Sequence, residues 1–156
     1  MIKRDCRSPV AQGRDDGFTL IEVLVAVAIV GLLAAIAYPS YVDQVIESRR
    51  NVGKSALLQI ADRQEQYFMD NKRYAADLTR LGYSADPVTV DKQGAEVPAD
   101  DAERVYQISL AAVAQTSYSL SAAPQLWQAQ KDTDCGTLTL SDEGQRTQSG
   151  AATDCW

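Results

Sequence analysis

The sequence predicts an α+β chain in which one long N-terminal helix, apolar in its first half and amphipathic in its second, packs on a small antiparallel sheet. Three observations carry this expectation. Residues 23–37 include no charged or strongly polar side chain, and extending that run back to Phe18 adds only Thr19 and Glu22 as interruptions. From Tyr38 onward apolar residues recur at steps of three and four, and no proline falls between Pro39 and Pro87. From Val105 the apolar period shortens to two, the spacing of half-buried strands.

The apolar run comes first. At about 1.5 Å per residue, residues 18–37 make a helix about 30 Å long, the thickness of a bilayer's hydrocarbon core. Before it, Lys3, Arg4, Arg7 and Arg14 outnumber Asp5, Asp15 and Asp16, a slight positive excess that keeps this end cytoplasmic and sends the chain after Ala37 outside. The small residue suited to cleavage, Gly17, precedes the apolar run, whereas a secretory signal is cut after its apolar core. The hydrophobic segment therefore survives processing.

The amphipathic half follows. Val42, Val45, Ile46, Val52, Ala56, Leu57, Ile60, Gln64 and Tyr67 line one face, and Asp43, Glu47, Arg50, Lys54, Asp62 and Glu65 the other. The pattern predicts a helix continuing to about Met69 and leaving through Asp70, Asn71, Lys72 and Arg73. Both halves together span on the order of 75 Å, too long to be buried in a domain of this size, so half of the helix must find other partners. Residues 74–82 read as a turn and short helix with Leu78 and Leu81 tucked inward. Residues 83–101 are polar, contain Pro87, Gly94 and Pro98, and read as a surface loop. Tyr106, Ile108 and Leu110 alternate with Gln107 and Ser109, and Tyr118, Leu120 and Ala122 with Ser119 and Ser121, predicting two antiparallel strands. A loop containing Trp127 follows, and Leu138 with Leu140 marks a third short strand.

The chain carries a formal charge of -6 and has no histidine. Such an acidic balance gives no general nucleic-acid footprint. The commonest general base is missing and no Ser, Cys or carboxylate constellation replaces it, so an enzyme is not expected. Asp100 with Asp101 and Asp132 with Asp134 lack the spaced ligands of a calcium loop and read as solvated surface; no metal and no cofactor is expected.

The residues Gly17-Phe18-Thr19-Leu20-Ile21-Glu22-Val23 resemble the class III signal of type IV prepilins and related pseudopilins. The resemblance implies that prepilin peptidase, a membrane-embedded aspartyl protease, cuts after Gly17 and methylates the new amine of Phe18. It divides the chain into a leader (1–17), a transmembrane and filament-core helix (18–41) and a periplasmic or extracellular pilin domain (42–156). A carboxylate inside a bilayer costs roughly 2.5 to 3.5 kcal/mol. The resemblance supplies Glu22 with a partner, the Phe18 amine of a neighbouring subunit; the alternative from the residues alone is snorkelling to the interface. Gly31 and Pro39 fall where pilins place a glycine and a proline, implying a stretch able to lose helical bonds in the filament, against a plain kink at the membrane exit.

Loss of the leader removes Cys6 and leaves Cys135 and Cys155 as an even pair in an oxidising compartment, expected to be bridged. Closing a loop of about 20 residues adds roughly 3 kcal/mol in the chain-entropy account. In pilins such a disulfide bounds a surface loop, which here serves either as a staple or as a binding element. The stretch Arg63-Gln64-Glu65-Gln66-Tyr67-Phe68, Tyr74, residues 78–82, and the Asp134-Cys135-Gly136 and Asp154-Cys155-Trp156 ending are similar to a subgroup of minor pilins related to competence pilins.

These features imply the pilin fold and a structural minor subunit of a type IV pilus serving adhesion, twitching motility and DNA uptake. Its implied partners are other pilin subunits, prepilin peptidase, the inner membrane and the pilus assembly machinery. It would begin as a single-pass inner-membrane precursor and end in the extracellular pilus. Two alternatives stand beside this. One is a competence pilin that receives extracellular DNA through a small patch of Arg104, Lys131 and Arg146. The other is a pseudopilin of type II secretion, which usually lacks the C-terminal disulfide.

Overall fold

In the computed structural model, which describes residues 18–156, helix α1 occupies Leu20–Asn71. The leader and Gly17 lie outside the described residues. By its internal contacts the chain falls into two units that meet between Ser40 and Tyr41.

In the first unit, residues 18–40 are exposed throughout and helical from Leu20. Thr19 starts the helix: its Oγ1 accepts from the Glu22 N–H at 3.3 Å, satisfying one of the first-turn donors that have no partner inside the helix. The helix runs unbroken past Gly31 and Pro39. It is long and apolar enough to cross a membrane, with none of that window buried.

In the second unit, Tyr41–Trp156, α1 buries Gly53, Leu57, Ile60 and Gln64, one face at helical spacing. It ends where Lys72 turns left-handed (φ 57°), and the Asn71 amide and Lys72 ammonium donate to the exposed carbonyls of Tyr67 and Met69. The 3-10 turn Leu78–Leu81 follows, capped by the Asp77 carboxylate and closed by Gly82 at φ 87°. Leu78 and Leu81 are buried, as the sequence predicts.

The sheet has six antiparallel strands: β1 (Val88–Val90), β2 (Glu96–Val97), β3 (Tyr106–Val113), β4 (Tyr118–Pro124), β5 (Leu138–Ser141) and β6 (Arg146–Gln148), in the order β2-β1-β3-β4-β5-β6. Leu57 and Ile60 of α1 join Val88, Tyr106, Ile108, Leu120 and Leu138 in the core. Gly53 lets the Tyr106 ring lie against the helix, since a Cβ there would meet the ring at 3.1 Å. Cys135 and Cys155 are disulfide-bonded. The neighbouring Trp156 donates its indole N–H to the Thr147 carbonyl of β6 at 3.0 Å.

Three expectations are corrected. The loop expected over residues 83–101 contains β1 and β2: β1 is three residues buried on both faces, so no alternation reveals it, and β2 has only two residues. The loop holding Trp127 contains helix α2 (Leu126–Lys131), whose six residues are fewer than two turns and show no periodicity. The third strand is followed by β6, an Arg-Thr-Gln edge strand with no apolar signal, recruited by pairing with β5.

Candidate functional site

The arrangement begins with a residue expected at the surface. Asp132 is 2% exposed, so the expectation of a solvated Asp132/Asp134 pair fails at its first member. Its Oδ1 accepts from Arg50 Nη2 at 2.6 Å, and its Oδ2 accepts from Arg50 Nε at 3.1 Å, Gln128 Nε2 at 2.9 Å and the Tyr106 hydroxyl at 3.2 Å. Gln128 Nε2 also lies 3.2 Å from the Ile46 carbonyl of α1. A buried carboxylate survives only when paired and hydrogen-bonded, and here the fork-shaped guanidinium supplies both. The hydrogen bond to Asp132 raises the Arg50 pKa against the opposing pull of burial. Burial, then the Asp132 charge, pushes the Tyr106 hydroxyl up. With its oxygens occupied, the carboxylate is a clamp that joins α1, β3 and α2 and fixes where Trp127 stands.

Trp127 forms part of a basic concavity. Arg49, Lys92, Ala102, Glu103, Arg104, Leu126 and Trp127 line a hollow of about 330 Å³. The Arg49 guanidinium stacks 4.5 Å over the Trp127 ring, a cation–π contact. Lys92 pairs with Glu103 at 3.0 Å, and Arg104 donates to the Asp101 carbonyl at 2.6 Å. Neither Arg49 nor Arg104 forms a salt bridge to a described carboxylate. The hollow therefore holds an excess of positive charge on an otherwise acidic domain. A second hollow adjoins it, sharing Arg49 and Lys92 and adding Gln44, Val45 and Ser48.

Of the patch expected from sequence, Arg104 lies here. Arg146 sits on β6, stacked 5.5 Å from the Trp156 ring, in a different hollow with Tyr118 and Asp142. Lys131 closes α2. The structure thus joins Arg104 to Arg49, Lys92 and Trp127 rather than to Arg146. Sequence reasoning missed Arg49 and Lys92, which carry no local signal; Trp127, an aromatic residue in a polar stretch, is the visible clue. Arg50 and Asp132 are 82 positions apart, and nothing in the sequence pairs them.

At the N-terminal end, Phe18, Glu22, Gly31 and Pro39 are exposed. Glu22 closes a Thr-x-x-Glu sequence, three residues after Thr19, the pattern of a capping box, and its amide is held by Thr19. A Cβ at Gly31 would meet nothing within 4 Å, so packing within the chain does not require glycine there. At the other end, residues 136–154 contain β5 and β6, so the disulfide encloses part of the sheet as well as its connections. Gly150 passes close beneath the Asp134 carbonyl, where no side chain fits. Among the described residues no group of three acidic or cysteine side chains converges as a metal-ligand set.

Residues 39–139 match the family described as type IV minor pilin ComP, DNA uptake sequence receptor, and residues 13–38 match the prokaryotic N-terminal methylation motif. The chain is 35% identical over 71 residues to the type IV major pilin protein PilA of Myxococcus xanthus, covering 46% of this chain and 32% of that protein. It is 34% identical over 73 residues to the type IV major pilin protein PilE1 of Neisseria gonorrhoeae, covering 46% and 43%. It is 29% identical over 87 residues to the type II secretion system core protein G of Pectobacterium carotovorum, covering 56% of each. The chain thus spans about a third to just over half the length of these relatives. Among solved structures it is similar to a type IV pilin from Shewanella oneidensis, at 22% identity over 71% of this chain and 97% of that one, with a TM-score of 0.45. The minor pilin PilV of Neisseria meningitidis gives 18% identity, 72% and 94% coverage, and a TM-score of 0.48.

Proposed function

The chain belongs to the family described as type IV minor pilin ComP, DNA uptake sequence receptor, and from that premise we propose that it is a minor subunit of a type IV pilus. In this reading prepilin peptidase cuts after Gly17 and Phe18 is N-methylated. Residues 18–41 anchor the precursor in the inner membrane with the globular domain outside. The same helix then moves into the filament core among other pilin subunits. Lipid and helical bundle are similarly apolar, so the hydrophobic effect alone gives this transfer no direction. The pairing of Glu22 with the Phe18 amine of a neighbour supplies it and sets register. The stretch between Gly31 and Pro39 yields when the filament is pulled.

The observation that carries the reading is the two-part character of α1: fully exposed and apolar at its start, which lies within the methylation motif matched over residues 13–38, and packed on its own sheet from Gly53 onward. The test is mass spectrometry of sheared surface filaments. A peptide beginning at N-methylated Phe18 is expected; recovery of only full-length, membrane-retained chain refutes the reading. Glu22→Ala should insert in the membrane but enter filaments poorly, and a normal filament level would refute the pairing.

The family's description and the basic concavity favour a second role on the same subunit, reception of DNA. Arg49, Lys92 and Arg104 offer contacts to phosphates and Trp127 an aromatic face, the pairing that serves nucleic acids. The expected result is salt-sensitive DNA binding in a gel shift, with the salt slope reduced by about 1 in Arg104→Ala. Absence of any salt-sensitive shift removes this role and leaves the pilus reading intact. The Cys135–Cys155 bond supports a pilus rather than a secretion pseudopilin.

A further inference from the structure

A separate cleft of about 510 Å³ runs between α1 and the β1–β2 hairpin. Ser48, Asn51, Ser55, Gln59 and Arg63 form its α1 wall, one residue per turn over about 22 Å. Val52, Ile60 and Val88 floor it, and Tyr83, Gln93 and Glu96 stand opposite. This is the volume of a small-molecule site, with an apolar base and converging polar groups.

Its charged members are already engaged. Arg63 donates to the Leu81 carbonyl at 2.9 Å and lies 4.4 Å over the Tyr83 ring. Glu96 accepts from the Ser84 N–H at 2.9 Å and from its hydroxyl at 2.6 Å, and these bonds hold its carboxyl below the usual range. By contrast, the side-chain amides of Asn51, Gln59 and Gln93 bond to no other described residue. Each amide carries two donor hydrogens and an acceptor oxygen, and all three face one cleft.

That inventory selects among ligands. A nucleic acid would meet the Glu96 carboxylate beside the single Arg63 guanidinium, with no excess of positive charge to hold phosphates. A peptide cannot add as a strand to β1, which is paired on both sides by β2 and β3; the open edge on this side of the sheet belongs to β2, whose two residues offer too short a template. A neutral sugar fits: its hydroxyls both donate and accept, as the amides do, and its C–H faces suit the half-buried side chains of Val52 and Ala56. We propose that this cleft binds a short neutral oligosaccharide, held by Asn51, Gln59 and Gln93. This goes beyond the pilus reading and does not depend on the basic concavity.

The test is saturation-transfer NMR on the full chain in phosphocholine micelles, which carry no sugar headgroup, with chitotriose and maltotriose as probes. Transfer to at least one trisaccharide is expected. Binding should weaken about tenfold in Asn51→Leu and in Gln59→Leu, the loss of one good hydrogen-bonding group, and stay unchanged in the β3 control Gln107→Leu. Gln93→Ala, which leaves α1 untouched, should also weaken it. Silence from both sugars, equal binding by the Asn51→Leu/Gln59→Leu double variant, or displacement of the sugar by duplex DNA overturns the proposal.

Discussion

Replacing Arg50 by methionine keeps much of the side chain's length and removes only the guanidinium. Asp132 then loses two of its four side-chain hydrogen bonds, including the ionic one at 2.6 Å, and keeps Tyr106 and Gln128 as neutral donors. Removing one partner of a buried pair costs about 3–5 kcal/mol. The Arg50 side chain is 14% exposed and that of Asp132 1%, so water reaches the vacated position and the lower end of that range applies, about 3 kcal/mol. For a unit the size of Tyr41–Trp156 each kcal/mol lowers Tm by about 4 °C, so the variant should melt about 12 °C early. The assay is thermal unfolding of the full chain in detergent, followed by near-ultraviolet circular dichroism of Trp127 and Trp156. Asp132→Asn completes a double-mutant cycle in which the two effects should be coupled by at least about 2 kcal/mol. A shift below about 3 °C for Arg50→Met, or additivity within about 0.5 kcal/mol, would show that the clamp does not hold the fold.

Other expected outcomes follow from neighbouring features. Gly53→Ala places a Cβ 3.1 Å from the Tyr106 ring and should cost about 1–3 kcal/mol by overpacking; Gly31→Ala, with nothing within 4 Å, should leave the melting of the globular unit unchanged. Cys135→Ala with Cys155→Ala opens a loop of 20 residues and should lower stability by about 3 kcal/mol in urea titration. Burial pushes Tyr74 up to about 12 and raises Tyr106 and Tyr118 as well. These folded-state values lie above the unfolded value near about 10, so their contribution to stability is complete below that pH and is lost as pH rises beyond it. Tyrosinate absorbance at pH 11 should therefore be lower in the native chain than in urea.

Much of the fold was legible because long elements repeat their pattern. α1 and the β3–β4 hairpin span enough residues for periods of 3.6 and two to stand out, and Leu57, Ile60, Tyr106, Ile108 and Leu120 are buried as their spacing predicts. What escaped is short or pays no attention to period. β1 buries both faces within three residues, β6 is polar, and α2 ends before two turns are complete. The processing motif was readable because it is contiguous. The basic concavity was only partly readable, since Arg49, Lys92, Arg104 and Trp127 come from four separate segments. Asp132 misled for a related reason: a carboxylate beside Thr133 and Asp134 looks solvated until a guanidinium 82 positions away is brought to it.

The Trp156 indole also bears on how the sheet ends. β6 pairs with β5 alone and so presents an unsatisfied backbone edge, a template on which a strange strand can grow. The indole of Trp156 donates to the Thr147 carbonyl, which faces β5 rather than the open side, and the Arg146 side chain lies over the ring, so this corner braces β6 against β5. Cys155, one residue earlier, pins this brace in place through Cys135. Reduction would then do more than lengthen a loop: it would free the brace that keeps β6 on β5, and loss of that outer strand would bare the longer edge of β5 to unwanted strand-to-strand association.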